Sequence, residues 1–289
     1  MPKFVFTKKI DNDESCDYIA TAYKIKFKDK YKRENEVVVD KSVPYTFLRT
    51  AYTFDNPEAQ LGDITLPEDY RFELLPYIPL DSQEDRSVIY VSGSSGAGKS
   101  YLINNIVKYY KKVFPKNNVY FITKNNWKMD RSLEHSYYKF LDTEKFIEDF
   151  STPEAREQFL EDPKKVFNNS FFIFDDIGAL DVKKEAKETI WFIINTILEN
   201  KRKSQISIAI ISHVPTDYKK TQLLIREIKQ YIIFPQNLQV KSDRLLNSYL
   251  GLTRDQLKKI VDEDYKDTLW LSIDIKKRLC LTQRSAYSL

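Results

Sequence analysis

The stretch that most narrows what this chain can fold into is VIYVSGSSGAGKSYLINNIV, Val88 to Val107. The 289 residues include only six glycines, and three of them fall between Gly93 and Ser100. The eight residues Gly93, Ser94, Ser95, Gly96, Ala97, Gly98, Lys99 and Ser100 satisfy G-x-x-x-x-G-K-[ST] in full. A short β-branched run precedes them. Leu102, Ile103, Ile106, Val107, Tyr110 and Val113 follow at helical spacing, ending before Pro115. The motif therefore stands where its chemistry needs it, after a buried strand and at the opening of a helix. Glycines let the backbone close around a phosphate, with successive N–H groups pointing inward at a positive helix N-terminus. A plain glycine–serine turn would explain the glycines but not Lys-Ser at this spacing. Gly93 through Tyr101 are the expected nucleotide-binding residues. Lys99 is expected to reach the β- and γ-phosphates of ATP, and the Ser100 hydroxyl to ligate Mg²⁺.

Composition sets the bounds. At 42% hydrophobic and 14% aromatic, the chain can bury an ordinary core. With 46 basic against 42 acidic residues, its net charge of +4 does not by itself announce a nucleic-acid binder. Cys16 and Cys280 stand at opposite ends of the sequence, as expected of two reduced thiols. His135 and His213 are the only histidines, which excludes a histidine-rich metal centre. The start, MPKFVFTKKIDND, turns charged too early for a signal peptide. The longest apolar run, IWFIINTIL, is interrupted by Asn195 and Thr196 and falls short of the roughly 18 residues that span a bilayer. A soluble, intracellular protein with no membrane partner is expected.

Three regions are expected. Residues 1–85 form a β-containing region and linker: YIATAYKIKFKDK alternates apolar residues against Lys24, Lys26 and Lys28, NEVVVDK is a second strand, and LPEDYRFELLPYIPLDSQEDR reads as a connector. Residues 86–240 form the core, with strands SVIYVSG, NVYFIT, SFFIFDDIG, QISIAIISH and YIIFP alternating with helices. Ser151-Thr-Pro-Glu154 reads as a capping box with proline in the first turn. Continuous apolar runs separated by helices predict an α/β fold, a parallel sheet of about five strands covered on both faces. Residues 241–289 form an appendage: Thr253-Arg-Asp-Gln256 is a capping box, and TLWLSID and KRLCLTQ alternate around Lys276-Lys277 as a hairpin.

Hydrolysis needs more than a bound nucleotide. In FFIFDD, four apolar residues bring Asp175 to the carboxyl end of a buried strand, where an acidic group holds Mg²⁺ through water. Asp176 follows directly and can orient or deprotonate an attacking water; a pair of helix-capping aspartates is the plainer alternative. NVYFIT intervenes in sequence between the Lys99 and Asp175 strands. That fits NTPases in which the acidic strand is not the spatial neighbour of the phosphate-loop strand. Ser212 and His213 end the fourth strand and are candidates to sense the γ-phosphate, although His213 alone also reads as an ordinary strand-end histidine. Arg202 and Arg226 precede the fourth and fifth strands. Each is a candidate for a guanidinium supplied to a neighbouring subunit's site, or for a solvated basic helix end.

The phosphate loop, FFIFDD, ENKRKSQISIAIISH and LLIREIKQYIIFP together resemble the FtsK–HerA superfamily of P-loop ATPases (the ASCE division). Among its members they most resemble the genome-packaging ATPases of large DNA viruses and virophages. The resemblance runs from about Val88 to Pro235. It implies a Walker A loop at Lys99 and Ser100, a Walker B strand with Asp175 on the metal, Asp176 as the catalytic carboxylate, and Arg202 at the place of a trans-acting arginine finger. It also implies a homo-oligomeric ring, pentamer or hexamer, that draws double-stranded DNA through its centre and docks on a capsid or portal protein. Its location would be the host cytoplasm, a viral factory or the virion. Two departures stand out: cellular members usually carry Glu where Asp176 stands and Gln where this chain has Ser212-His213. Lys124, Lys128 and Arg131 around Trp127, with Lys219 and Lys220, are the candidate DNA-tracking loops, or else solvated lysine-rich loops. A non-motor assembly protein switched by ATP is the alternative function. A P-loop kinase is a second, but the mostly apolar helix after FFIFDD leaves no room for a lid with clustered arginines.

Overall fold

The computed structural model describes the backbone of residues 3–7, 18–27, 37–39, 46–51, 64–65, 72–76, 87–123, 128, 130–161, 167, 169–176, 184–213, 226–234, 246–247, 251–253, 255–256, 269–274, 279–282 and 285–288. Side chains are described from residue 87 onward, apart from 159–161, 184–186, 200–204 and 285–288. The chain divides into two compact units, one of residues 1–78 with 260–289 and one of residues 79–259. The sequence treats the two ends as separate segments; they fall in one unit.

The first unit is built from antiparallel strands. β1 (Lys3–Thr7), β2 (Tyr18–Phe27), β3 (Val37–Val39), β4 (Thr46–Ala51) and β6 (Phe72–Pro76) form one sheet, in which β2 pairs with β3, β4 and β6. The lysine face read at Lys24, Lys26 and Lys28 lies outside the described side chains. β6 corrects the reading of residues 66–86 as a plain connector. Phe72-Glu73-Leu74-Leu75 is an alternating stretch closed by Pro76, and ten-residue β2 supplies its partner from Ala20 to Lys24. The hairpin expected near the C-terminus is present as β13 (Leu271–Asp274) and β14 (Leu279–Thr282). β15 (Ser285–Ser288) and β5 (Ile64–Thr65) extend it by antiparallel pairing.

The second unit carries the phosphate-loop motif. Its strands are β7 (Val88–Ser92), β8 (Asn118–Thr123), β9 (Lys139–Asp142), β10 (Ser170–Asp175), β11 (Ile206–Ser212) and β12 (Gln230–Ile233). Every pairing among them is parallel, in the order β12-β7-β11-β10-β8-β9. The five expected strands are thus joined by β9, whose Lys139-Phe-Leu-Asp is too short and too exposed to announce itself. β11 lies between β7 and β10. The strand that ends in the glycine loop and the strand that ends in Asp175 are therefore not neighbours. β7 and β11 are buried throughout, and β10 up to Phe174, as unbroken Val, Ile and Phe runs require.

The helices follow the sequence closely. α1 (Lys99–Val113) buries Leu102, Ile103, Ile106, Val107 and Tyr110 as their spacing predicts. It also buries Asn104, whose Oδ1 accepts from Glu134 N at 2.9 Å and from the Tyr138 hydroxyl at 2.9 Å. These two bonds tie the chain between β8 and β9 onto α1. α2 (Thr143–Asp149) is capped by Asp142, which accepts from Glu144 N and Lys145 N. α3 (Pro153–Glu161) starts one residue later than the capping box read at Ser151 requires. Thr152 Oγ1 accepts from Ala155 N, while the Ser151 hydroxyl donates back to Glu148 O and closes α2. Proline is at the first helical position, where its missing N–H costs nothing, and this fixes Thr152 as the cap. α4 (Lys184–Ser204) is the apolar helix read before β11, against which it packs. The capping box at Thr253 forms in both directions: Thr253 N donates to Gln256 Oε1 at 2.8 Å, and Gln256 N to Thr253 Oγ1 at 3.2 Å. Among the described residues no helix is long and apolar enough to cross a membrane.

Candidate nucleotide site

Parallel strands leave their carboxyl ends at one edge of the sheet, and the candidate residues gather there. Gly93 follows β7, and its N–H donates to Ser212 O of β11 at 3.2 Å. Two positions in the loop demand glycine for backbone reasons: Gly96 has φ 76° and Gly98 φ 102°. Gly93 is glycine for another reason. A Cβ there would stand 3.0 Å from Phe234 Cβ and 3.2 Å from its ring. Phe234 is buried directly after β12, and its N–H donates to Ser92 O at 3.1 Å. Its ring forms the floor beneath the loop. α1 then begins at Gly98 with no side-chain cap and no acidic residue in its first turn, which leaves its positive end to the loop.

Lys99 is largely buried and folds back over that loop. Its Nζ donates to Gly93 O and Ser94 O, both at 2.6 Å, and lies 3.2 Å from His213 Nδ1. Burial lowers its pKa, while the nearby Asp175 and Asp176 carboxylates pull it back up. The lysine and the acidic pair thus share one field, although they come from strands separated by β11.

Asp175 ends β10, and its Oδ2 accepts from the Thr123 hydroxyl at 3.1 Å. Desolvation pushes its pKa up, opposed by the Thr123 hydrogen bond; Asp176 pushes it further up, and Lys99 and His213 pull it down. Asp176 has φ 56°, a left-handed conformation that a non-glycine residue adopts at a cost of order 1–3 kcal/mol. Its N–H donates to Ile211 O at 3.0 Å, which holds that conformation against β11. Its Oδ2 lies 3.3 Å from His213 Nε2, and its Oδ1 is buried with no partner among the described residues.

Lys99, Thr123, Asp175 and His213 line a cavity of about 360 Å³, and Asp176 stands behind His213 without lining it. The loop and the start of α1 line it with Ser95, Gly96, Gly98, Ser100 and Tyr101, and Phe121, Asp130, Ser132 and Leu133 complete the lining. Of the two strand-end candidates, His213 lines the cavity, whereas Ser212 is buried in register with Ser92. Arg226 is exposed and does not line it. Arg202 falls in the last turn of α4, but its side chain lies outside the described residues, as do Lys124, Trp127, Lys219 and Lys220. Lys128 and Arg131 are exposed. Thr123 escaped the sequence reading, although the argument that singles out Asp175, a polar residue closing a buried strand, applies equally to the end of NVYFIT. Phe234 and the Asp130–Leu133 wall carry no such signal, since only the fold brings them to the loop.

No family model matches the chain. In sequence it is similar to the uncharacterized protein V3 of Sputnik virophage, 25% identical over 228 residues, which cover 78% of this chain and 84% of that one. In structure it is similar to the genome packaging NTPase B204 from Sulfolobus turreted icosahedral virus 2 in complex with AMPPCP. That match has a TM-score of 0.44 and 13% identity and covers 68% of this chain and 96% of that one. The pCW3 conjugation coupling protein TcpA with ATPγS gives a TM-score of 0.43 at 14% identity over 86% of this chain and 74% of that one. The cytoplasmic domain of the Thermomonospora curvata Type VII secretion ATPase EccC gives 0.49 at 14% identity over 78% and 28%.

Two expectations follow from this geometry. Gly93→Ala forces a Cβ onto Phe234 and should cost about 1–3 kcal/mol by denaturant titration. In the double variant with Phe234→Ala the loss should be smaller than the sum of the two single losses. The second concerns Asp175. Its raised pKa means the folded chain binds its proton more tightly than the unfolded one, so the associated stability is present at low pH and lost as pH rises through the folded value. At neutral pH the ionised carboxylate is therefore a liability without a cation. Asp175→Asn should raise the melting temperature of the ligand-free protein at pH 7, and the difference from wild type should shrink toward pH 4.

The parallel order β12-β7-β11-β10-β8-β9 is the α/β fold expected from the apolar strand runs, with β11 between the strand of the glycine loop and the strand of Asp175.

Proposed function

We propose that the chain is an ATP hydrolase that translocates double-stranded DNA, working as a viral genome-packaging motor. The observation that carries the ATPase reading is the convergence of Lys99, Asp175 and His213 on one cavity beside the glycine loop, with Asp176 3.3 Å from His213. The DNA substrate and the motor role rest on the resemblance of the motifs.

In this reading the backbone from Gly93 to Ser100 wraps the phosphates and Lys99 reaches the β- and γ-oxygens. Ser100 and Asp175 hold Mg²⁺, with Thr123 keeping Asp175 oriented. A carboxylate and a hydroxyl that line the same cavity are hard oxygen donors, which suit that ion. The bound ion would offset phosphate charge. Asp176 orients and deprotonates the attacking water. Arg202 or Arg226 of a neighbouring subunit meets the charge developing on the γ-phosphate, within a ring of copies. Exposed Lys128 and Arg131 supply positive charge for a phosphate backbone.

The test is ATP turnover with and without long double-stranded DNA. DNA should stimulate it, Lys99→Ala should abolish it, and Asp176→Asn should lower kcat by about 10²–10⁴-fold. Undiminished turnover in Asp176→Asn would remove Asp176 from the base role. Turnover indifferent to DNA would favour the ATP-switched assembly protein. Mixing Arg202→Ala subunits with Lys99→Ala subunits should restore part of the activity at mixed interfaces; recovery with Arg226→Ala instead would move the finger there.

A further inference from the structure

Lys99, His213 and Asp176 stand in one line: Lys99 Nζ hydrogen-bonds with His213 Nδ1, and His213 Nε2 lies 3.3 Å from Asp176 Oδ2. An ammonium group has three donors and no acceptor. Those of Lys99 are directed at Gly93 O, Ser94 O and His213 Nδ1, so all three are used. Because the ammonium can only donate, Nδ1 of His213 must accept, which places the ring proton on Nε2. Nε2 then presents its N–H 3.3 Å from Asp176 Oδ2, a polar contact between the ring and the carboxylate. The lysine thereby sets the tautomer, and the tautomer puts an N–H beside one carboxylate oxygen of Asp176, while Oδ1 is buried without a hydrogen-bond partner among the described residues.

We infer that His213 is a positioning residue that couples occupancy of the phosphate loop to Asp176: it holds Lys99 against the loop when no phosphate is present, and it keeps Asp176 oriented once phosphate has taken the lysine. The inference rests on the ATPase reading above. Lys99 can reach a phosphate only by giving up at least one of its three partners. Two are backbone carbonyls of the loop itself, Ser94 O also accepting from Ala97 N, and both contacts are short at 2.6 Å. The third is the longest, at 3.2 Å, and belongs to a side chain that is 37% exposed. The histidine contact is the one that yields. Losing it frees Nδ1 while the Nε2–H stays on Asp176, so the carboxylate keeps its aim.

This role separates binding from turnover. A histidine that simply grips the γ-phosphate would, on removal, weaken both. A latch that competes for Lys99 would, on removal, leave binding intact or tighter and still disorder Asp176. The experiment compares full-length wild type, His213→Ala and His213→Gln by calorimetric titration with a non-hydrolysable ATP analogue and Mg²⁺, and by steady-state turnover. Expected for His213→Ala is an analogue Kd unchanged or lowered up to about fivefold, with kcat reduced roughly 10–100-fold. Glutamine can accept from Lys99 and donate to Asp176, so His213→Gln should recover part of kcat. Analogue binding weakened tenfold or more in both variants, or kcat unchanged in His213→Ala, would overturn the coupling.

A second readout needs no turnover. The chain has two histidines, so ¹H–¹⁵N imidazole spectra of wild type and His135→Gln assign the His213 ring directly. The ligand-free protein should show the Nε2–H form, and the analogue should shift Nδ1 while the Nε2–H signal persists. A wild-type protein that binds no analogue overturns the ATPase reading and the coupling with it. One that binds and hydrolyses ATP with His213 in the Nδ1–H form overturns the coupling alone.

Discussion

The arrangement depends on where β11 lies. Inserted between β7 and β10, it carries at its carboxyl end three successive attachments. Ile211 O holds the N–H of Asp176, Ser212 O holds the N–H of Gly93, and the His213 side chain reaches both Lys99 and Asp176. The first two are ordinary backbone hydrogen bonds, each contributing on the order of 1 kcal/mol. Their value is positional. They fix the glycine loop and the acidic pair to the same strand, so two halves of a site that are far apart in sequence cannot drift independently. A fully buried Ile-Ser-Ile-Ala-Ile-Ile-Ser run makes that strand rigid, and rigidity is what a constellation of reacting groups needs.

The loop is specified from below as well as by its own backbone. Gly96 and Gly98 answer to backbone conformation, whereas Gly93 answers to the ring of Phe234. A single glycine pattern thus records two different constraints, backbone conformation and packing room. The same edge of the sheet stores unfavourable energy. A left-handed Asp176 and a desolvated Asp175 both oppose folding, and the buried runs of β7, β10 and β11 offset them. Such local costs gather where the chain is arranged for chemistry rather than for stability.

Much of this was legible in the residues, and the limits are physical. Period and turn chemistry marked the five core strands, α1 and the C-terminal hairpin because each element's own residues carry the signal. The sequence separation of Lys99 and Asp175 by another strand already implied that the two would not pair. β9 and β6 were missed because short strands draw their stability from a partner's ladder. The cap of α3 moved by one residue because Pro153 outranks the Ser-x-x-Glu pattern. In the site, strand-end polarity found Asp175 and His213 and should have found Thr123. It could not find Phe234 or Asp130, which reach the loop only through packing. Nor could it show that Lys99 and Asp176 share one histidine, since 114 residues separate Lys99 from His213.

The central claim is that one triphosphate, held by the loop after β7, draws the lysine, the acidic pair and the histidine into a single reacting group. A crystal structure of the protein with Mg²⁺ and a non-hydrolysable ATP analogue tests it most directly. The account predicts the β- and γ-phosphates within the loop from Gly93 to Ser100, the cation between Ser100 and Asp175, and Lys99 moved from His213 to phosphate with His213 still on Asp176. A nucleotide bound elsewhere, or Lys99 still on His213 with phosphate in the loop, would contradict it.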